Sequence, residues 1–278
     1  MPDVPTAELV RRCERDGILF PLPALDADEV AYYRGALADL ERRLGGQFDP
    51  TQVIQPQLHF RWAYDLALRP RVLDAVAALI GPDILVHSAS IFCKYPGDGR
   101  YVAWHQDGHY WRLSEPRLVS AWIALSPSTP LSGCMRVVPG THRSRLPHRE
   151  EPDPENMLAS GLRLDAEVDP ANVIDVRLEP GQMSLHRERI VHGSKPNRSD
   201  TERIGFAVRY VAPDVTQALE HHAVLLARGH DRHGHYRHLA EPPGDDLEEG
   251  LARCRVFSEA IRRRRLPQAG ADGQPSRP

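Results

Sequence analysis

Trp104-His105-Gln106-Asp107 sets an imidazole and a carboxylate two residues apart. On an extended strand, side chains at i and i+2 leave the same face. His105 and Asp107 are therefore expected to project together and offer one ring nitrogen and one carboxylate oxygen to a common point. Polar pairs of this spacing are common on exposed strand faces, so the pair alone carries little. Its meaning changes with Ile190-Val191-His192-Gly193-Ser194, a second strand-like stretch whose histidine lies 85 residues past Asp107. Two histidines and one carboxylate make a facial triad that leaves three positions of an iron(II) ion open. Those positions suit a bidentate 2-oxo acid and O₂. Zinc accepts the same donors, although structural zinc favours closed four-coordinate sites. A divalent-metal hydrolase and a non-catalytic jelly-roll binding module with a relict metal site are also compatible with the triad. Arg203 follows 11 residues after His192, at the start of Arg203-Ile204-Gly205-Phe206-Ala207-Val208. A cosubstrate with a second carboxylate needs a cation of matching shape, and guanidinium supplies it in a bidentate fork. Ser194 offers a hydroxyl to the same group.

These residues need elements to hold them. The first part of the chain reads as helical, with Thr6 as the cap of a short helix through Arg12. Asp26 and Glu29 have capping-box spacing, and Val30, Tyr33, Leu37, Leu40 and Leu44 recur at helical intervals up to Gly45-Gly46. Ile18 to Leu22 looks like a short strand, and Pro70 to Ile80 like a helix stopped by Gly81-Pro82. From residue 83 the texture changes to strands and turns. Ile84 to Tyr95, Leu118 to Leu125, Cys134 to Val138, Val173 to Leu178, Met183 to His186 and Ile204 to Val211 are candidate strands, separated by Gly, Pro, Asn and Asp breakers. Many short strands with turn signals mean a sandwich or barrel. The polar, proline-bearing stretch 143–170 reads as a long insertion loop, of the kind that often forms a lid. The expected organisation is one domain over 1–266, with a helical part at about 1–82, a strand-rich core at about 83–215, and a disordered tail at 267–278.

Composition narrows the classes of partner. The chain has 278 residues, 41% hydrophobic and 26% charged, with a net charge of −3, so no basic field points to nucleic acid. The run Arg262 to Arg265 is expected to be a solvated helix end. Cys13, Cys93, Cys134 and Cys254 are scattered and form no CxxC pair, which argues against a disulfide framework or zinc knuckle and fits a reducing cytoplasm. The N-terminus lacks a signal-peptide layout, and no apolar run approaches the roughly 20 residues that span a bilayer. A soluble cytoplasmic protein acting on a small molecule is expected, with no membrane partner; its oligomeric state is not legible.

Taken in order, Ala103 to Trp111, Ser120 to Leu125, Ser132 to His142 and Gly181 to Val211 resemble the phytanoyl-CoA dioxygenase family of iron(II)/2-oxoglutarate oxygenases. The resemblance covers roughly residues 83 to 211. It implies a mainly β protein with flanking helices (α+β) and a double-stranded β-helix, or cupin-like jelly-roll, core. Carried over position by position, it makes His105, Asp107 and His192 the iron ligands, and Arg203, Ser194 and Lys94 the residues that bind 2-oxoglutarate. The implied cofactors are Fe(II), 2-oxoglutarate and O₂, and the implied products are a hydroxylated metabolite, succinate and CO₂. Desaturation, epoxidation and cyclisation are alternative outcomes at such a site. Halogenating relatives carry a small residue at the Asp107 position, so its carboxylate favours hydroxylation. Ser132 departs from the family's usual Asn. His109, Tyr110, Trp111 and Trp122 are candidates for the substrate pocket. The resemblance favours His192 over His186 as the ligand. The cluster His221, His222, His230, His233, His235 and His238 is expected to be a surface or pocket-covering segment rather than a second metal site. No CoA-binding signature is present, and the C-terminal stretches look like the bacterial branch of the family, which acts on small polar metabolites, amino acids, phosphonates and natural-product intermediates. Arg136, Arg187 and Arg209 are candidates for recognising an anionic group, against a reading as strand-surface charges.

Overall fold

Asp26 caps the longest N-terminal helix reciprocally: its carboxylate accepts from the Glu29 N–H at 2.9 Å, and the Glu29 carboxylate accepts from the Asp26 N–H at 2.9 Å. This satisfies two donors that a helix start otherwise leaves orphaned. The computed structural model describes residues 6–49, 52–111, 113–158, 160–218, 223–244 and 246–265. Helix α1 (Thr6–Asp16) and strand β1 (Ile18–Pro23) precede the capped helix α2 (Ala27–Leu44), which Gly45 ends at φ 85°, in the left-handed region. Helices α3 (Arg61–Ala67) and α4 (Pro70–Ile80) follow, the latter with proline at its first position. The Thr6 side chain lies outside the described residues.

The remaining elements are β2 (Ile84–Lys94), β3 (Val102–His105), a one-turn helix α5 (Gly108–Trp111), β4 (Leu118–Ala124), β5 (Met135–Val138), β6 (His148–Glu150), β7 (Leu162–Leu164), β8 (Ile174–Asp175), β9 (Gln182–Arg187), β10 (Val191–Ser194), β11 (Arg203–Val211), β12 (Ala223–Arg228), β13 (Arg237–His238) and α6 (Leu247–Arg265). They form a seven-stranded sheet in the order β1-β9-β4-β11-β2-β12-β13 and a four-stranded sheet in the order β3-β10-β5-β8. Alternation along β11 shows how the layers divide. Ile204, Phe206, Val208 and Tyr210 join the core beneath the helices, with Leu37, Leu66 and Val76. Ala207 faces the smaller sheet, where it packs with Trp122, Met135, Val137 and Ile190. Each buried aliphatic or aromatic side chain contributes about 1.5–3 kcal/mol, and a one-residue slip would exchange the two faces, so the register is strongly specified. Two facing sheets with helices on the outside of the larger one make the jelly roll that the resemblance implies.

Several elements differ from the sequence reading. Residues 143–170 contain the β6–β7 hairpin, in which Leu162 and Leu164 are buried; its three-residue strands are too short to show periodicity. Strand β1, from the helical part, pairs with β9 at one edge of the large sheet, and β12 and β13 extend the other edge beyond residue 215. The expected strand over Val173 to Leu178 shortens to Ile174–Asp175. All four cysteines are buried free thiols. No described helix is long and apolar enough to cross a membrane. Residues 267–278, His221 and His222, and the side chains of Arg262 to Arg265 lie outside the described residues.

Candidate metal and cosubstrate site

Strands β3 and β10 run antiparallel with His105 and His192 as direct partners, which brings their ring centroids to 4.1 Å. Gly193 permits the approach: a Cβ there would lie 2.8 Å from the Val102 carbonyl oxygen. The His105 Nδ1 lies 2.9 Å from the Ala103 carbonyl and the His192 Nδ1 lies 3.0 Å from the Ile190 carbonyl. A carbonyl only accepts, so both Nδ1 atoms carry the proton and both Nε2 atoms present a lone pair inward.

Asp107 reaches the same point by a different route from the one the spacing predicts. Strand β3 stops at His105, and Asp107 occupies the turn that opens α5, so strand alternation does not place it. The turn is held by Gln106, 1% exposed, whose side-chain amide donates to the Arg189 carbonyl at 2.5 Å and the Ser144 carbonyl at 2.9 Å and accepts from the Leu146 N–H at 2.9 Å. The Gly108 N–H donates to the Glu188 carbonyl at 2.8 Å, tying the turn to the segment before β10. Sequence reasoning passed over Gln106; its one available signal was a long polar residue between two candidate ligands.

Asp107 Oδ1 lies 3.3 Å from His105 Nε2, and one atom from each of His105, Asp107 and His192 falls within 4.8 Å of the others. Among the described residues, this is the one such group of metal-ligating side chains. Two inward lone pairs facing a carboxylate repel one another, and a cation between them removes the repulsion. The residues therefore fit a divalent metal. Burial, which raises the Asp107 carboxyl, is outweighed by the adjoining His105 and His192 rings and the Arg209 charge, so the group stays well below the usual carboxylate range. Burial and then the His105 ring push His192 well below its ordinary value, leaving it neutral.

The other end of the cavity is cationic. Arg203 opens β11, pairs across to Lys94 on β2, and is 3% exposed. Its guanidinium carbon sits 4.5 Å from the Trp122 ring centroid, and its Nε has no hydrogen-bond partner among the described residues. Trp122 reaches this position by lying over Gly205, where a Cβ would come within 1.9 Å of the indole. Burial lowers Arg203 to about 10, which leaves it charged at neutral pH. Lys94 donates to the Ser194 hydroxyl and the Lys195 carbonyl, both at 2.6 Å. Burial and then the Arg203 charge lower Lys94 to about 6. An orphaned buried guanidinium beside a hydroxyl and an amine suits a carboxylate.

Of the candidate pocket residues, Trp122 lines the cavity of the triad. His109 lines a separate surface groove with Leu113 and Arg145, its ring 4.7 Å from that of His148. The Tyr110 and Ser160 hydroxyls are 3.0 Å apart, and Trp111 packs against His87 at 5.5 Å. His186 lines the cavity 5.2 Å from the His192 ring and supplies no atom to the triad group. Exposed His233 and His235 stack on each other, and His238 lies 2.7 Å from Asp231. Arg136 lies over Trp104 and 3.6 Å from Asp175, outside the cavity. Ser132 accepts from the Thr129 N–H at 2.9 Å and closes the turn before β5.

A jelly roll whose paired strands present two histidines beside a turn-borne carboxylate is the architecture of mononuclear non-heme iron oxygenases. Residues 13–205 match the family model described as phytanoyl-CoA dioxygenase (PhyH), and the chain belongs to that family. It is 28% identical over 165 residues to a "Probable alpha-ketoglutarate-dependent hypophosphite dioxygenase" of Stutzerimonas stutzeri, covering 59% of this chain and 57% of that protein. It is 25% identical to an ectoine dioxygenase of Sphingopyxis alaskensis, covering 66% of this chain and 68% of that protein. The chain thus spans less than two thirds of the first of these relatives. Among solved structures, apo ThoJ, a non-heme monooxygenase, superposes with a TM-score of 0.78 at 30% identity, over 92% of this chain and 98% of ThoJ.

Proposed function

We propose that this chain is an Fe(II)- and 2-oxoglutarate-dependent dioxygenase that hydroxylates an unactivated C–H bond of a small metabolite, in natural-product, amino-acid or phosphonate metabolism. The carrying observation is the convergence of three ligand atoms within 4.8 Å in the wall of a cavity that also holds an orphaned guanidinium. His105, Asp107 and His192 would hold iron(II), and Arg203, Ser194 and Lys94 the far carboxylate of 2-oxoglutarate. When bound, the metal and cosubstrate supply the oxidation: O₂, 2-oxoglutarate and the substrate C–H become succinate, CO₂ and an alcohol. The chain's own work is positioning and electrostatics. The Nδ1–carbonyl hydrogen bonds fix both rings with Nε2 inward. Phe92, Val102, Met135 and Leu158 line the cavity with apolar surface that excludes water around the reacting bond. The names of the relatives support the chemistry, and a ThoJ structure solved as a nickel complex supports divalent-metal binding at this fold.

Residues 1–266 act as one oxygenase domain in this reading, because β1 from the helical part and β12 from beyond residue 215 both belong to the large sheet. Four unpaired thiols support a reducing compartment, the cytoplasm. Turnover under isotopically labelled O₂ tests the chemistry. One labelled oxygen is expected in succinate from the wild type and none from His105→Ala. Arg203→Met is expected to raise the 2-oxoglutarate KM about tenfold or more, the usual cost of losing a charged hydrogen bond. A wild-type protein that binds iron yet never consumes 2-oxoglutarate would refute the proposal.

A further inference from the structure

Arg203 is not the one arginine in the cavity. Arg209 lies six residues further along β11, roughly 20 Å of extended strand, with the same inward parity. It also lines the cavity of the triad, and its side chain is only 12% exposed. Its Nη1 donates to the Ser90 hydroxyl at 2.9 Å, and its Nε, buried, has no hydrogen-bond partner among the described residues. The nearest carboxylate oxygen to that Nε is Asp107 Oδ2 at 4.0 Å, beyond hydrogen-bond reach.

The neighbours of Arg209 in the sheet are polar. Register places Arg209 opposite Ser120 on β4, and Ser120 opposite His186 on β9, so the three form one row across the inner face. Ser120 is 1% exposed and His186 3% exposed. The Ser120 hydroxyl and the His186 Nδ1 both lack a hydrogen-bond partner among the described residues, and both residues line the cavity. Three buried, underused polar groups in one row are costly unless something satisfies them.

Charge says what that something is. Among the described residues, the cavity lining carries one carboxylate, Asp107, and two guanidinium groups, Arg203 and Arg209. A divalent metal and a dianionic cosubstrate bring equal and opposite charge, so the loaded cavity keeps one net positive charge, at the Arg209 end. Glu188 does not cancel it: that carboxylate sits behind Gly108, beside its own Arg189 at 3.4 Å.

We propose that Arg209, with Ser120 and His186, binds an oxyanion carried by the substrate, a carboxylate or a phosphorus oxyacid, and so orients a small acidic molecule toward the triad. This rests on the oxygenase reading and narrows its substrate class. Arg209 is here a specificity residue, and the rival role, holding Asp107 in place for the metal, is separated by the test.

The experiment uses full-length protein loaded with iron(II) and 2-oxoglutarate without oxygen, titrated with acetate, methylphosphonate and inorganic phosphate, and with acetamide and methylamine as neutral and cationic controls. The visible band of the chelate and the thermal midpoint are read together. At least one oxyanion is expected to perturb the band and raise the midpoint where acetamide and methylamine do not; carboxylate against phosphorus probes shows which acid the row prefers. Arg209→Gln is expected to form the band as the wild type does while weakening oxyanion binding about tenfold or more, with Arg209→Lys intermediate. The proposal is overturned if no oxyanion outperforms acetamide, if Arg209→Gln binds oxyanions undiminished, or if Arg209→Gln loses the band itself, which makes Arg209 a positioning residue of the metal. A wild type that forms no band refutes the oxygenase reading instead, and the oxyanion effect on its midpoint is then read alone.

Discussion

Lys94 shows how a single side chain can be held in an expensive state for later use. Its amine is fully buried and lowered from the usual 10.5 to about 6, by burial and then by Arg203. Between those two pH values the unfolded chain carries a proton that the folded protein lacks, so stability rises with pH across the window. The cost is greatest below about 6 and fades as pH approaches 10.5. Lys94→Met removes this cost, together with two hydrogen bonds whose loss does not depend on pH. The melting temperature of the variant relative to wild type, both without metal, is therefore expected to fall as pH rises from neutral toward that of free lysine. A difference that stays flat with pH would show that Lys94 is ordinarily protonated in the fold. At this scale His105, His192 and Arg203 were legible, because each sits in a short motif whose chemistry is local. The position of Asp107 was legible and its backbone was not, since a turn pinned by Gln106 through segments around residues 144, 146 and 189 cannot be read from spacing. Arg209 was visible as a candidate, but its burial depends on the parity of β11 within two stacked sheets.

Among the elements, β11 and β4 carry the arginines of the cavity and the indole beside them, and their contact depends on one missing side chain. Gly205 normally would weaken a strand, and replacing glycine by alanine in such a place often helps. Here a Cβ would come within 1.9 Å of the Trp122 indole, which in turn lies beneath the Arg203 guanidinium. Gly205→Ala is expected to destabilise by about 1–3 kcal/mol through overpacking, measured by chemical denaturation. A neutral or stabilising outcome would mean that the indole has room to move. The helices α2 and α4 were legible from caps and periodicity, and the long strands β2, β4 and β11 from apolar runs between turn residues. The β6–β7 hairpin and β12 were not: the former is too short and polar, and the latter gains its place by pairing with β2 far away in sequence.

For the whole molecule, the topology turns distant segments into one cavity. Strands β3 and β10 bring histidines 87 residues apart into direct register, while β11 runs across the opposite sheet with an arginine near each end of the cavity. No local rule specifies that meeting; it follows from the closing of two sheets over a shared apolar interior. The central claim is that this meeting point holds iron(II) chelated by 2-oxoglutarate. The direct measurement is the visible spectrum of the metal-free protein after anaerobic addition of both, beside His105→Ala. A charge-transfer band in the wild type that the variant lacks is the expected result. A folded wild-type protein that shows no band would contradict the claim.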